Sequence, residues 1–274
     1  MTGANDMKKL LTMVLITTLP LLNTSPAVAS KPSTQGQLTL SFSDGRSDVE
    51  GLSAVNQYLL QVGVRVSTLP LPEQAKPILK ASTKRAITNS ESEKLLSLFS
   101  LHRGQLLDQI KMAGRKPEAH RGGFLSTSEV GVAPYPKVYD MNVMTTEVKH
   151  YLQKKFGKLH VNSSNAGVGI DEVMTIVSGG SWTWFFVLPD NVVAKLTLGY
   201  VGLNSQAWRI SYPGLVPHGG YLDSDYGLVV AYAHGPKNFV MRYEEPSVKG
   251  AETLNDNPWI DFSGDTPKLL NKAK

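Results

Sequence analysis

Two histidines, His218 and His234, stand in glycine- and proline-rich stretches, Pro213-Gly214-Leu215-Val216-Pro217-His218-Gly219-Gly220 and Ala233-His234-Gly235-Pro236. Two carboxylates, Asp171 and Glu172, open the hydrophobic run that leads to them. Neutral imidazole together with carboxylate is a donor set for one divalent ion. It suits Zn, Fe, Mn, Ni or Cu without choosing among them, so the metal's identity stays open. His218, His234 and Glu172 are therefore the candidate metal ligands and also the candidate catalytic groups. The alternative chemistry needs no metal: either histidine could act as a general acid or base paired with Glu172, Asp223 or Asp225. The bland alternative is that both histidines are turn residues bonded to backbone.

Further residues are candidates for holding a ligand. Trp182 and Trp184 alternate with polar or smaller residues and would share one strand face, either as an aromatic wall or as ordinary core packing. Arg242 and Arg209 also alternate with apolar residues. They could meet an anionic ligand or lie on a solvated outer face.

These groups need strands to position them. Val173–Val177, Trp182–Leu188, Val192–Leu198, Ala207–Tyr212, Leu228–Ala233 and Phe239–Tyr243 read as six short strands, with turn signals at Gly179-Gly180 and Asp190-Asn191. Such spacing predicts an antiparallel sandwich, jelly roll or barrel over residues 158–245. Residues 30–157 read as an α/β-helical part. It has a strand at Leu38–Phe42, a helix capped at Ser47 and Glu50, and a second strand at Val64–Leu69, an arrangement compatible with parallel strands. The strongest helical period runs from Glu91 to Ala113 with Ser90 and Glu93 as its cap, and it places His102 inside the apolar stripe. Arg115–Met141 reads as a long loop. A helix from Thr145 or Thr146 to Phe156 would bury Val148, Tyr151, Leu152 and Phe156. Residues 246–274 form a polar tail in which Trp259, Ile260 and Phe262 tuck back and the last ten residues fray. The fold class is α+β.

The stretch from about residue 160 to 245 resembles the cupin superfamily, small β-barrels that often hold one divalent metal. Asp171-Glu172-Val173-Met174 leading to Gly179-Gly180 is similar to the family's first motif at its glutamate and glycine. Pro213-Gly214 with His218 is similar to the second motif's glycine and histidine. Where the first motif carries two histidines, this chain has Asn165-Ala166-Gly167-Val168-Gly169, and His160 lies too far upstream to match. The resemblance implies a cupin-like β domain with its site at the barrel mouth, with or without a metal. A third ligand beside Glu172 and His218 would have to be His234.

The N-terminus reads as an export address. Lys8-Lys9 precede an apolar run, Leu10–Leu22, and Ala27-Val28-Ala29 offers a cleavage site after Ala29. That run is too short for the roughly 20 residues of a membrane helix, so no span is expected once residues 1–29 are removed. The 274 residues contain no cysteine, which excludes disulfides, thiolate metal sites and thiol nucleophiles. Export without disulfides fits the periplasm of a bacterial envelope. The net charge of +5 is not concentrated in a Lys/Arg run, and nucleic acid is not an expected partner. The Gly-x-Ser-x-Gly, His-Glu-x-x-His, Walker and dinucleotide-binding patterns are absent. Three classes of function remain: a metal-dependent enzyme acting on a small molecule, a non-catalytic small-ligand binder, and an envelope interaction protein.

Overall fold

The structure is a computed structural model, and it describes residues 37–116, 123–124, 136–236 and 238–274. Residues 1–29, where an export address is expected, as well as His120 and most of the loop 115–141, lie outside these residues.

Two antiparallel sheets face one another. The first runs β11(His218–Tyr221)–β8(Trp182–Val187)–β9(Val193–Leu198)–β1(Leu38–Phe42)–β2(Val49–Glu50). The second runs β3(Arg65–Pro70)–β10(Gln206–Tyr212)–β7(Asp171–Gly179)–β12(Gly227–Gly235)–β4(Gly123–Phe124), and β5(Lys137–Asp140) also pairs with β12. Trp182, Trp184 and Phe186 of the first sheet meet Ile176, Trp208 and Tyr212 of the second in one core. Every residue of β7 and β12 is buried, because both faces of the second sheet are covered. Its outer face lies under α1(Leu52–Leu59), α2(Lys76–Ser82), α3(Asn89–Leu98) and α4(Arg103–Met112), whose Leu59, Leu79, Leu95 and Leu106 join the core. The outer face of the first sheet, Phe185, Val187 and Val193, packs on Trp259 and Ile260.

The antiparallel α+β architecture follows the alternation in the sequence. Its first third differs from expectation. Leu38–Phe42 and Arg65–Pro70 are not parallel neighbours, since β1 pairs antiparallel with β9 and β3 antiparallel with β10. Both sheets therefore cross the expected boundary at residue 157, and the described residues all fall in one compact unit. Burial explains this: each strand is apolar on a face that only the later strands can cover.

The expected long helix from Glu91 to Ala113 is two helices. Phe99 and Leu101 turn into the core between α3 and α4, and His102 becomes the exposed residue preceding α4 rather than part of a buried stripe. The cap of α3 is Thr88 with Glu91, each side chain bonding the other's backbone N–H, instead of Ser90 with Glu93. Ser47 and Glu50 cap nothing, because Val49–Glu50 is β2. Helix α5(Thr146–Gly157) is capped by Thr145, but Val148 and Tyr151 are exposed on it. The tail does not fray. β14(Ile260–Asp261) pairs with β15(Lys268–Leu269), and Leu270 N–H donates to Trp259 O at 2.8 Å.

Candidate functional site

Glu172 lies near the start of β7, directly opposite Tyr212 on β10 and Ala233 on β12. Directly opposed residues of antiparallel strands point to the same face, so Glu172 faces inward with Tyr212. His218 opens β11 opposite Phe186 and faces the same interior. His218 is therefore a strand residue and not a turn residue, and the glycines after it allow the last turn of α5 to approach, with Phe156 O about 3.0 Å from where a Gly219 Cβ would stand.

The two side chains meet. His218 Nε2 lies 3.5 Å from Glu172 Oε2, with both side chains at most 3% exposed. His218 Nδ1 stands 2.7 Å from Val216 O. A carbonyl only accepts, so Nδ1 carries a proton and Nε2 is the ring nitrogen turned toward the site.

Asn162, on β6(Val161–Ser163), stands between them. Its Nδ2 is 3.0 Å from Glu172 Oε2 and 3.0 Å from His218 Nε2, while its Oδ1 is buried without a hydrogen-bond partner. His160 lies two residues earlier in this extended segment. It exchanges backbone hydrogen bonds of 2.9 Å with His218, and the two rings meet edge to face at 4.7 Å. Burial, reinforced by neighbouring His218, pushes the His160 imidazole down to about 3, so it is neutral at physiological pH. Burial also raises the Tyr212 hydroxyl well above its ordinary value, helped by the Glu172 carboxylate to which it is bonded.

The group opens on a cavity of about 70 Å³ walled by Tyr139, Phe156, Met174, Trp184 and Met241. At the 10–15 Å³ that one ordered water requires, this is room for roughly five waters or a small molecule.

Not every candidate joins this group. His234 is opposite Asp171 and alternates with Ala233, so it points to the far side of the sheet. There Asp171 pairs with Arg115 Nη1 at 2.9 Å, and its Oδ1 accepts from Gly214 N–H at 3.1 Å. A triad of His218, His234 and Glu172 is thus ruled out by the two-residue period of the strand. Trp184 lines the cavity, whereas Trp182 is fully buried in the core beyond it. Arg242 braces β6 instead of facing the cavity, donating from Nε to Ser163 Oγ at 2.8 Å and from Nη2 to Ser164 O at 3.1 Å. Asp223 accepts from Thr183 Oγ1 at 3.1 Å, and Asp225 is 98% exposed beside Lys149, so neither pairs with a histidine. Arg209 is partly covered by the helical layer and donates to Thr175 Oγ1 at 3.0 Å.

Among the described residues, no three His, Cys, Asp or Glu side chains are grouped to hold a metal ion. Two donors do converge. Neighbouring ligand atoms around an ion bound at 2.0–2.2 Å lie about 3–3.5 Å apart, and Glu172 Oε2 and His218 Nε2, 3.5 Å apart, have that separation. His160 and Asn162 carry no motif that sequence spacing could flag, and only the strand pairing brings them in. Also among the described residues, no helix is long and apolar enough to cross a membrane.

No protein-family model and no curated protein matches the chain. A solved structure described as acireductone dioxygenase from Bacillus anthracis, with a cadmium ion in its active center, is similar at a TM-score of 0.50 and 19% identity, covering 77% of this chain and 100% of that one. The likeness is one of fold, and it accords with a cupin-like sandwich.

Proposed function

We propose that this protein is an exported, cupin-like, metal-dependent enzyme that takes a small molecule into the cavity between its sheets. The observation that carries the reading is the inward meeting of Glu172 Oε2 and His218 Nε2 at the cavity wall. These are also the two positions at which the sequence resembles the cupin motifs. Export is supported by Lys8-Lys9, the apolar run and Ala27-Val28-Ala29.

Glu172 and His218 would hold the ion. A bound divalent ion would supply Lewis acidity toward a substrate oxygen and a water acidic enough to ionise near neutrality. The chain supplies the rest. Val216 O fixes the His218 tautomer, so that Nε2 faces the site as a donor atom. The Tyr212 hydroxyl holds the Glu172 carboxylate in place. Trp184, Tyr139 and Phe156 bind the apolar body of a ligand and exclude water, while neutral His160 offers an uncharged imidazole at the wall.

A non-catalytic binder is the second reading, and one observation favours it: the Asn162 amide already satisfies both acceptors. Elemental analysis of untagged protein, with metal offered back, separates the two. The enzyme reading expects near-stoichiometric divalent metal that is lost from Glu172→Ala and His218→Ala but kept in His234→Ala. A parent protein that takes up no metal sinks that reading and leaves the binder.

A further inference from the structure

Asn162 is held more rigidly than a bystander needs. Its N–H donates to Gly214 O at 2.7 Å, and its carbonyl accepts from Ile170 N–H at 2.9 Å. One residue's backbone thus ties the segment before Glu172 to the loop before His218. Its side chain is 1% exposed, and the carboxamide sits between the two donor atoms, equidistant at 3.0 Å.

As it stands, the two N–H bonds of Nδ2 cover the lone pairs of Glu172 Oε2 and His218 Nε2, and the carboxamide oxygen is left buried with no partner. A carboxamide is nearly symmetric in shape. A half-turn about Cβ–Cγ exchanges Nδ2 and Oδ1 with almost no change in the space filled. After that turn three electron-rich atoms, Oδ1, Oε2 and Nε2, face one point. Without a cation they repel; with one they form an oxygen, oxygen and nitrogen donor set.

We propose that Asn162 is a third metal ligand and a two-position latch: Nδ2 inward closes the Glu172–His218 pair, and Oδ1 inward opens it around a divalent ion. The proposal rests on the metal-dependent reading above and adds to it a ligand at a position that carries no motif. It also reconciles the two readings, because the closed latch is the self-satisfied state that resembles a simple binding protein. Metal affinity is reduced by whatever the closed state gains from its two buried hydrogen bonds.

The test is Zn²⁺ titration by calorimetry of the full chain as it is produced, with Asn162→Asp and Asn162→Leu variants. Asn162→Asp keeps the shape, always presents an oxygen and adds a charge, so affinity should rise about tenfold or more. Asn162→Leu removes the third ligand, and affinity should fall by a similar factor; should that variant not fold, Asn162→Asp decides alone. A second readout is independent of affinity. The Asn162 side-chain amide resonances, identified by their loss in Asn162→Asp, should shift on Zn²⁺ addition as Nδ2 leaves its acceptors. Metal binding in the parent with both variants within twofold of it, or with amide resonances that do not move, overturns the latch and leaves the enzyme reading standing. No Zn²⁺ binding by the parent overturns both.

Discussion

Replacing Asp223 by asparagine should stabilise the protein at neutral pH and not in acid. Asp223 lies between β11 and β12. Its Oδ2 accepts from Thr183 Oγ1 at 3.1 Å and Ser181 Oγ at 3.4 Å, while its Oδ1 is buried with no hydrogen-bond partner. Burial is the largest influence on it and pushes its carboxyl up from an ordinary 3.8 to about 6, against the smaller pull of those hydrogen bonds. A folded value above the unfolded one means that folding favours the protonated form. The associated stability is therefore fully present below the unfolded value and is lost as pH rises through about 6. A shift of about two units corresponds to roughly 3 kcal/mol lost by pH 8 and only about half a kcal/mol by pH 4. The asparagine keeps an acceptor for Thr183 and never ionises. At about 2–4 °C per kcal/mol for a chain of this size, Asp223→Asn should raise Tm by about 6–12 °C at pH 8 and by little at pH 4. Thermal unfolding of both proteins across that range is the assay. An equal Tm difference at the two pH values, or a variant less stable at pH 8, refutes the reasoning.

Gly214→Ala should damage the candidate site through the backbone, because a Cβ there would run into the carbonyl oxygens of Asn162 and Ile170. We expect a loss of about 2–3 kcal/mol in urea unfolding together with loss of metal uptake; a change under about half a kcal/mol would show that the crossing yields. Trp259→Ala removes a side chain that is 3% exposed and donates from Nε1 to Val193 O at 2.8 Å. It should cost about 3–5 kcal/mol and expose residues 258–274 to limited proteolysis, whereas a resistant tail would mean that β14 and β15 hold it without the indole.

The six strands are legible in the sequence because Trp182, Trp184 and Phe186, or Trp208, Ile210 and Tyr212, alternate with a period of two whatever covers the other face. Sheet membership is not legible. Nothing local in Leu38–Phe42 says that its partner is Val193–Leu198, and a strand–helix–strand spelling is as compatible with a parallel pair. Glu172 and His218 stand out by residue type beside glycine. His234 has the same credentials, and only the register, which sets it opposite Asp171, removes it. His160 and Asn162 reach the cavity through backbone pairing to His218, Gly214 and Ile170, and long-range pairing leaves no trace in spacing. The break between α3 and α4 is hidden for a related reason: Phe99 and His102 both fit a helical period, yet the chain turns between them to bury Phe99 and Leu101 and leave His102 exposed.

The placement of β1 and β3 in different sheets also sets when this protein can become a protein. Leu40 waits for Leu196, and Val66 waits for Ile210, so each early strand must hold out for some 140 to 160 residues of further chain. Closing loops of that length makes contact order high and folding slow. A chain that emerges N-terminus first therefore holds β1 and β3 without these partners until β9 and β10 have emerged, with only the short β2 beside β1 before then. The same long-range pairing that brings Glu172 and His218 together therefore also sets the order in which the chain can fold.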